Sequence, residues 1–118
     1  MKIGTYYYPE QWPREQWERD FDHIAEMGLQ IVHMGEFAWF DMEPAPGEFR
    51  LDWLSECVEM AAKRKLSVIL CTPTAAPPIW LSHDHPDTLG QDAHGTHQRF
   101  GGRRHYSQIG RASCRERV

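Results

Sequence analysis

With 118 residues, 41% of them hydrophobic and 25% charged, the chain has the composition of one small globular domain at most. A net charge of −4 argues against nucleic acid as a partner, because phosphate binding needs a basic stripe. The apolar runs are far too short to cross a bilayer, which argues against a membrane partner as well. Three Cys at irregular spacing give neither a disulfide framework nor a CxxC pair.

The first element is a strand over Lys2–Tyr6, entered directly from Met1 with no apolar leader or cleavage site. That start reads as a cytoplasmic protein. The strand runs into Tyr7-Tyr8-Pro9-Glu10. A helix is expected from Pro13, whose missing N–H suits the first helical position. Trp17, Phe21, Ile24 and Met27 recur on one face of that helix, while Glu15, Glu18, Arg19 and Asp22 fall off it. Gly28 follows at the usual glycine position beyond a helix end.

A second strand covers Leu29–Met34 and ends in Gly35-Glu36-Phe37-Ala38-Trp39. The segment Glu43–Phe49, with two Pro and a Gly, is expected to be loop. Asp52 is a good N-cap for a second helix, lined by Leu54, Val58, Ala61 and Ala62. Lys63-Arg64-Lys65 complements the dipole at its end, but Lys65 stands where glycine would be easier, so that cap should be strained. The third strand is Ser67–Leu70, followed by Thr72–Pro78. Cys57 in the helix and Cys71 after the strand are expected to be buried thiols. Pro77–Leu81 opens a helical turn, and His83–Thr96 reads as polar loop. Gly101-Gly102 lends backbone freedom to the segment Gln98–Tyr106.

Strands separated by helical patterns favour a parallel sheet, since parallel neighbours need a crossover that a tight turn cannot supply. In parallel α/β folds the residues just past the strands' carboxyl ends build the active site. The segments after the three strands therefore form a substrate-facing rim. Aromatics at that rim suit a sugar, whose ring offers an apolar C–H face beside its hydroxyls.

Five segments, taken in order, carry a family resemblance: Tyr7–Pro13, Gly35–Trp39, Glu43-Pro44, Thr72–Leu81 and Phe100–Tyr106. Together they resemble the amino-terminal part of a family 42 glycoside hydrolase, a β-galactosidase, from Lys2 to about Ser107. The resemblance implies an α/β fold, namely the first three β/α units of a TIM (β/α)8 barrel. It implies hydrolysis of terminal non-reducing β-D-galactose from β-galactosides by a retaining mechanism, with one Glu as acid/base and another as nucleophile. In the family those residues lie at the ends of the fourth and seventh strands, so no acid of this chain is assigned a catalytic role. Arg103, the first Arg of Arg103-Arg104-His105-Tyr106, occupies a position that contacts galactose in the family. Its guanidinium offers five fixed donors for sugar hydroxyls or a nearby carboxylate. No cofactor is implied. Some members hold a structural zinc through four Cys, but the first of those positions is Ser107 here. The family is often trimeric.

The last ten residues, 109–118, show no periodicity and carry three Arg. They resemble the translation of a common sequencing adapter. The expected organisation is thus a partial barrel catalytic domain over 1–108 and a non-native tail over 109–118, with the natural protein continuing further and the chain itself inactive. Two other readings compete. A small carbohydrate-binding module suits the aromatics and Arg103, but such sandwiches are not built from parallel strands. A metal-dependent barrel hydrolase would use His83-Asp84-His85, which needs to stand at a strand end rather than in a loop. Glu36, Phe37 and Trp39 are rim residues for which packing competes with sugar contact.

Overall fold

A computed structural model describes residues 1–101. Arg103 and the segment 109–118 lie outside the described residues. Three strands, β1 (Gly4–Tyr6), β2 (Ile31–Met34) and β3 (Ser67–Leu70), form one sheet in the order β1-β2-β3. Both pairings are parallel, with Tyr6 opposite His33 and His33 opposite Ile69. The crossovers are α1 (Arg14–Glu26) between β1 and β2, and α3 (Asp52–Lys63) between β2 and β3. A short α2 (Trp39–Met42) follows β2, and α4 (Ile79–Asp84) follows β3. Parallel pairing removes the sandwich reading, whose strands run antiparallel.

Helices α1 and α3 cover one face of the sheet. There Phe21, Val32, Met34, Cys57 and Ala61 are wholly buried, with Tyr7, Trp17, Ile24, Met60 and Leu66 packed around them. The opposite face carries Gly4 and Tyr6 from β1, Ile31 and His33 from β2, and Ser67 and Ile69 from β3, by strand alternation. It is an open groove of about 210 Å³ lined by Gly4, Thr5, Tyr6, Ile31, His33 and Ile69. Glycine is required at position 4. A Cβ there would lie 2.5 Å from the Ile31 carbonyl oxygen and 2.6 Å from the Ile31 Cβ.

The two helix ends are built alike. The Gly28 N–H donates to Ala25 O and the Leu29 N–H to Ile24 O; the Lys65 N–H donates to Ala62 O and the Leu66 N–H to Ala61 O. Each turn forces a left-handed residue, Gly28 at φ +77° and Lys65 at φ +58°. The strain expected at Lys65 is present.

Several expectations shift. Pro13 occupies the N-cap of α1, one place before the first helical residue. Leu51, not Asp52, is the N-cap of α3, and Asp52 begins the helix with no side-chain capping bond. Met27 leaves the apolar stripe and is 74% exposed, because it is the C-cap of α1 and the chain turns away there. The buried side of α3 is Leu54, Cys57, Met60 and Ala61, while Ala62 is exposed and Val58 half-buried. The helical turn expected over Pro77–Leu81 is present as α4, and the expected loop His83–Thr96 holds the end of that helix and a 3₁₀ turn at Pro86–Thr88.

Candidate functional site at the strand ends

All three strands point their carboxyl ends the same way, so the segments that follow them gather on one rim. Tyr6, Tyr7 and Tyr8 alternate in direction as β1 ends. Tyr7 is buried in the core, its ring edge-on to Phe21 at 5.1 Å, and its hydroxyl donates to Asp20 Oδ2 at 2.9 Å. Burial and the neighbouring Asp20 carboxylate hold that phenol well above its usual pKa. Tyr6 and Tyr8 stack at 6.4 Å, and Tyr8 meets Phe37 at 5.7 Å. This strip of rings runs from the open face of β1 to the segment after β2. Such a strip is an apolar surface of the kind on which a pyranose ring stacks.

At the end of β2 the chain turns through Gly35 at φ +89°, where a Cβ would come within 3.1 Å of Met42 Cε and 3.2 Å of Cys71 O. The turn delivers Glu36 and Phe37, both half-buried, and then α2. Glu43, at the end of α2, ties the two neighbouring indoles to the next loop. Its carboxylate accepts from Trp39 Nε1 at 2.8 Å and from the Gly47 N–H at 2.8 Å, and its carbonyl accepts from Trp80 Nε1 at 3.0 Å. The Trp39 and Trp80 rings then meet edge-on at 6.3 Å. The sequence places Glu43 in a loop and in the Glu43-Pro44 motif, with no partner assigned to its carboxylate. The signal available was its spacing of four from Trp39, the spacing of neighbours on a helix.

His33 projects on the open face one residue before the end of β2, with Nε2 2.6 Å from Cys71 Sγ and the Tyr6 ring edge-on at 4.3 Å. Cys71 is therefore half-exposed, not buried as expected, because it stands beyond the last paired residue of β3. Cys57 is wholly buried as expected, and burial with the nearby Glu56 and Glu10 charges pushes its thiol up to about 12.

Glu10 sits on a 3₁₀ turn, Pro9–Gln11, just past β1. Both carboxylate oxygens are out of water and neither makes a hydrogen bond with a described residue. Burial holds the acid above the usual carboxylate range; the dipole of its own nearby backbone N–H offsets this in part, and the charge of Asp41 adds to it. The His83-Asp84-His85 run is split by structure. His83 and Asp84 end α4, exposed and joined by a 2.8 Å contact, while His85 is the residue after it. Among the described residues no group of three or more His, Cys, Asp or Glu is gathered as a metal would need.

The β-galactosidase model of glycoside hydrolase family 42 matches residues 6–117. The chain belongs to this family. Family 42 relatives include β-galactosidase BgaH of Haloferax lucentense, 47% identical over 88% of this chain and 16% of that protein. A β-galactosidase of Thermus thermophilus is 48% identical over 88% of this chain and 16% of its own length. The crystal structure of the β-galactosidase from the psychrophilic Marinomonas ef1 superposes with a TM-score of 0.89 at 45% identity, covering 98% of this chain and 18% of that one. The chain thus spans about one sixth of the family 42 proteins it matches. Its sheet and crossover helices are the first three β/α units of their (β/α)8 barrel, and the open face with Tyr6 and His33 is the barrel's interior.

Proposed function

We propose that the protein to which this chain belongs is a retaining β-galactosidase acting on terminal non-reducing β-D-galactose of oligosaccharides. The identity of 47–48% to proteins of that name, over 88% of the chain, carries the reading. The aromatic strip Tyr6-Tyr8-Phe37 beside the indole pair held by Glu43 supports it from the side of chemistry. Both catalytic Glu belong to later strands under this reading, so the chain alone has no means of cleaving a glycosidic bond. Arg103 is the substrate-binding residue within this stretch, its guanidinium holding sugar hydroxyls. A trimeric parent is part of the same proposal and is checked by light scattering on the complete enzyme.

The test compares the 118-residue chain with the complete enzyme amplified from source DNA, using a nitrophenyl β-D-galactopyranoside. The chain should show no turnover and the enzyme should be active. Arg103→Ala in the complete enzyme should lower kcat/KM about a hundredfold, the loss of roughly two charge-assisted hydrogen bonds, with the circular dichroism spectrum unchanged. Unaltered kinetics would make Arg103 scaffold, and a complete enzyme inert on galactosides would end the proposal.

A further inference from the structure

We propose that Cys71 is a reactive thiol activated by His33, and that the pair is a modification site for low-molecular-weight disulfides. His33 and Cys71 are 38 residues apart, and the β2–β3 register brings them together. The Cys71 N–H donates to Met34 O at 2.9 Å, which extends the ladder by one bond and fixes where the thiol starts. The Tyr6 ring packs edge-on against the imidazole at 4.3 Å. His33 Nδ1 is buried and makes no hydrogen bond with a described residue, so Cys71 is the ring's one hydrogen-bonding neighbour among them. An imidazole placed in this way is a base for the thiol, and the thiolate is the nucleophilic form.

Access separates the two cysteines of the described residues. Cys57 is sealed in the core between α3 and the sheet, whereas Cys71 is half-exposed at the rim. In the proposed step Nε2 takes the Sγ proton and Sγ attacks one sulfur of the disulfide. A new S–S bond forms, the old one breaks, and the departing thiolate regains the proton. Cys71 is oxidised to a mixed disulfide, and the released half of the reagent is reduced to a thiol. The reaction stands apart from the glycosidase reading, and its test reads thiol chemistry alone.

The complete enzyme amplified from source DNA is treated with the aromatic disulfide dithiobis-nitrobenzoate, and peptide mapping assigns a rate to Cys57 and to Cys71. Cys71 should react about tenfold or more faster than Cys57, and His33→Asn should slow Cys71 about tenfold while Cys57 stays protected. Should His33→Asn expose Cys57, and so report unfolding, the wild-type enzyme decides instead. Transfer to urea should slow Cys71, which loses its base, and accelerate Cys57, which loses its cover. A Cys71 rate indifferent to His33→Asn in an enzyme that still protects Cys57, or one that rises on unfolding, overturns the proposal.

Discussion

Replacing Lys65 by Gly should strengthen the end of α3, although Lys65 is exposed and buries no apolar surface there. The left-handed conformation costs an L-residue about 1–2 kcal/mol, a cost that Lys65 bears at φ +58°. Glycine escapes it but gives up about 0.5–1 kcal/mol of extra chain entropy on folding. Losing one positive charge at the helix end removes a few tenths more, softened by Lys63 and Arg64 beside it. The net gain is about 0.5 kcal/mol, and up to about 1 kcal/mol where the strain is at the top of its range. Gly28 supplies the mirror experiment. A Cβ there meets nothing within 4 Å, so Gly28→Ala isolates the backbone effect and should cost about 1 kcal/mol at the end of α1.

Hydrogen exchange followed by mass spectrometry reads each end separately. Lys65→Gly should slow exchange of amides at the α3–β3 junction by about two- to fivefold, with the α1–β2 junction as unchanged reference. Lys65→Ala separates charge from strain, because it removes the cation without relieving φ and should not slow exchange. Equal protection in Lys65→Gly and Lys65→Ala would refute the strain account.

Three further substitutions probe the sheet register, a buried acid and the indole clamp. Gly4→Ala should cost at least the upper part of the ~1–3 kcal/mol range for overpacking, since its Cβ would meet the Ile31 backbone at 2.5 Å; an unchanged urea midpoint would refute the β1–β2 register. Glu10 has a raised folded pKa, so the stability it permits is full below its unfolded pKa of about 4.3 and falls as pH rises toward the folded value; Glu10→Gln should flatten that fall in urea titrations, leaving a smaller slope of the same sign from Asp41. Glu43→Ala should cost about 2 kcal/mol and alter tryptophan fluorescence, because it strips the acceptor from Trp39 Nε1 and from the Gly47 N–H; an unchanged spectrum would refute the clamp.

How much of the fold was legible in the chain depends on how far each contact reaches. The stripe Trp17-Phe21-Ile24 and the strand Ser67–Leu70 need only neighbours a few residues away, and both stand where periodicity puts them. Lys65 was readable for the same reason, as the left-handed position past a helix end is a local matter. Helix α2 was missed because four residues are too few to show a period. The His33–Cys71 pair was hidden for a different reason. Strands of a parallel sheet are apolar on both faces, so Ile31-Val32-His33-Met34 does not announce which alternate set faces the helices. Until the register is known, a histidine in such a strand has no address. Arg103 rests on the motif alone, since it lies outside the described residues.

The third β/α unit differs from the second in a way that residue type does not account for. Met34 and Leu70 are opposite each other in the β2–β3 register, so both side chains point to the helix-covered side. Met34 is wholly buried, yet Leu70 is 54% exposed. The difference is one of neighbours: β2 has a strand and a helix on each side, and β3 has them on one side only. The β1 edge mirrors this, with a groove of about 350 Å³ beside α1 that takes in Trp12, Met27 and Leu29. In a (β/α)8 barrel each strand lies between two others and each outward side chain lies under helices, so both edges carry the mark of units that pack against them in the family. The rim residues inherit the same dependence. Tyr6 and His33 face a groove that is half of a wall, and the chemistry proposed for a sugar begins when the opposite half supplies its carboxylates.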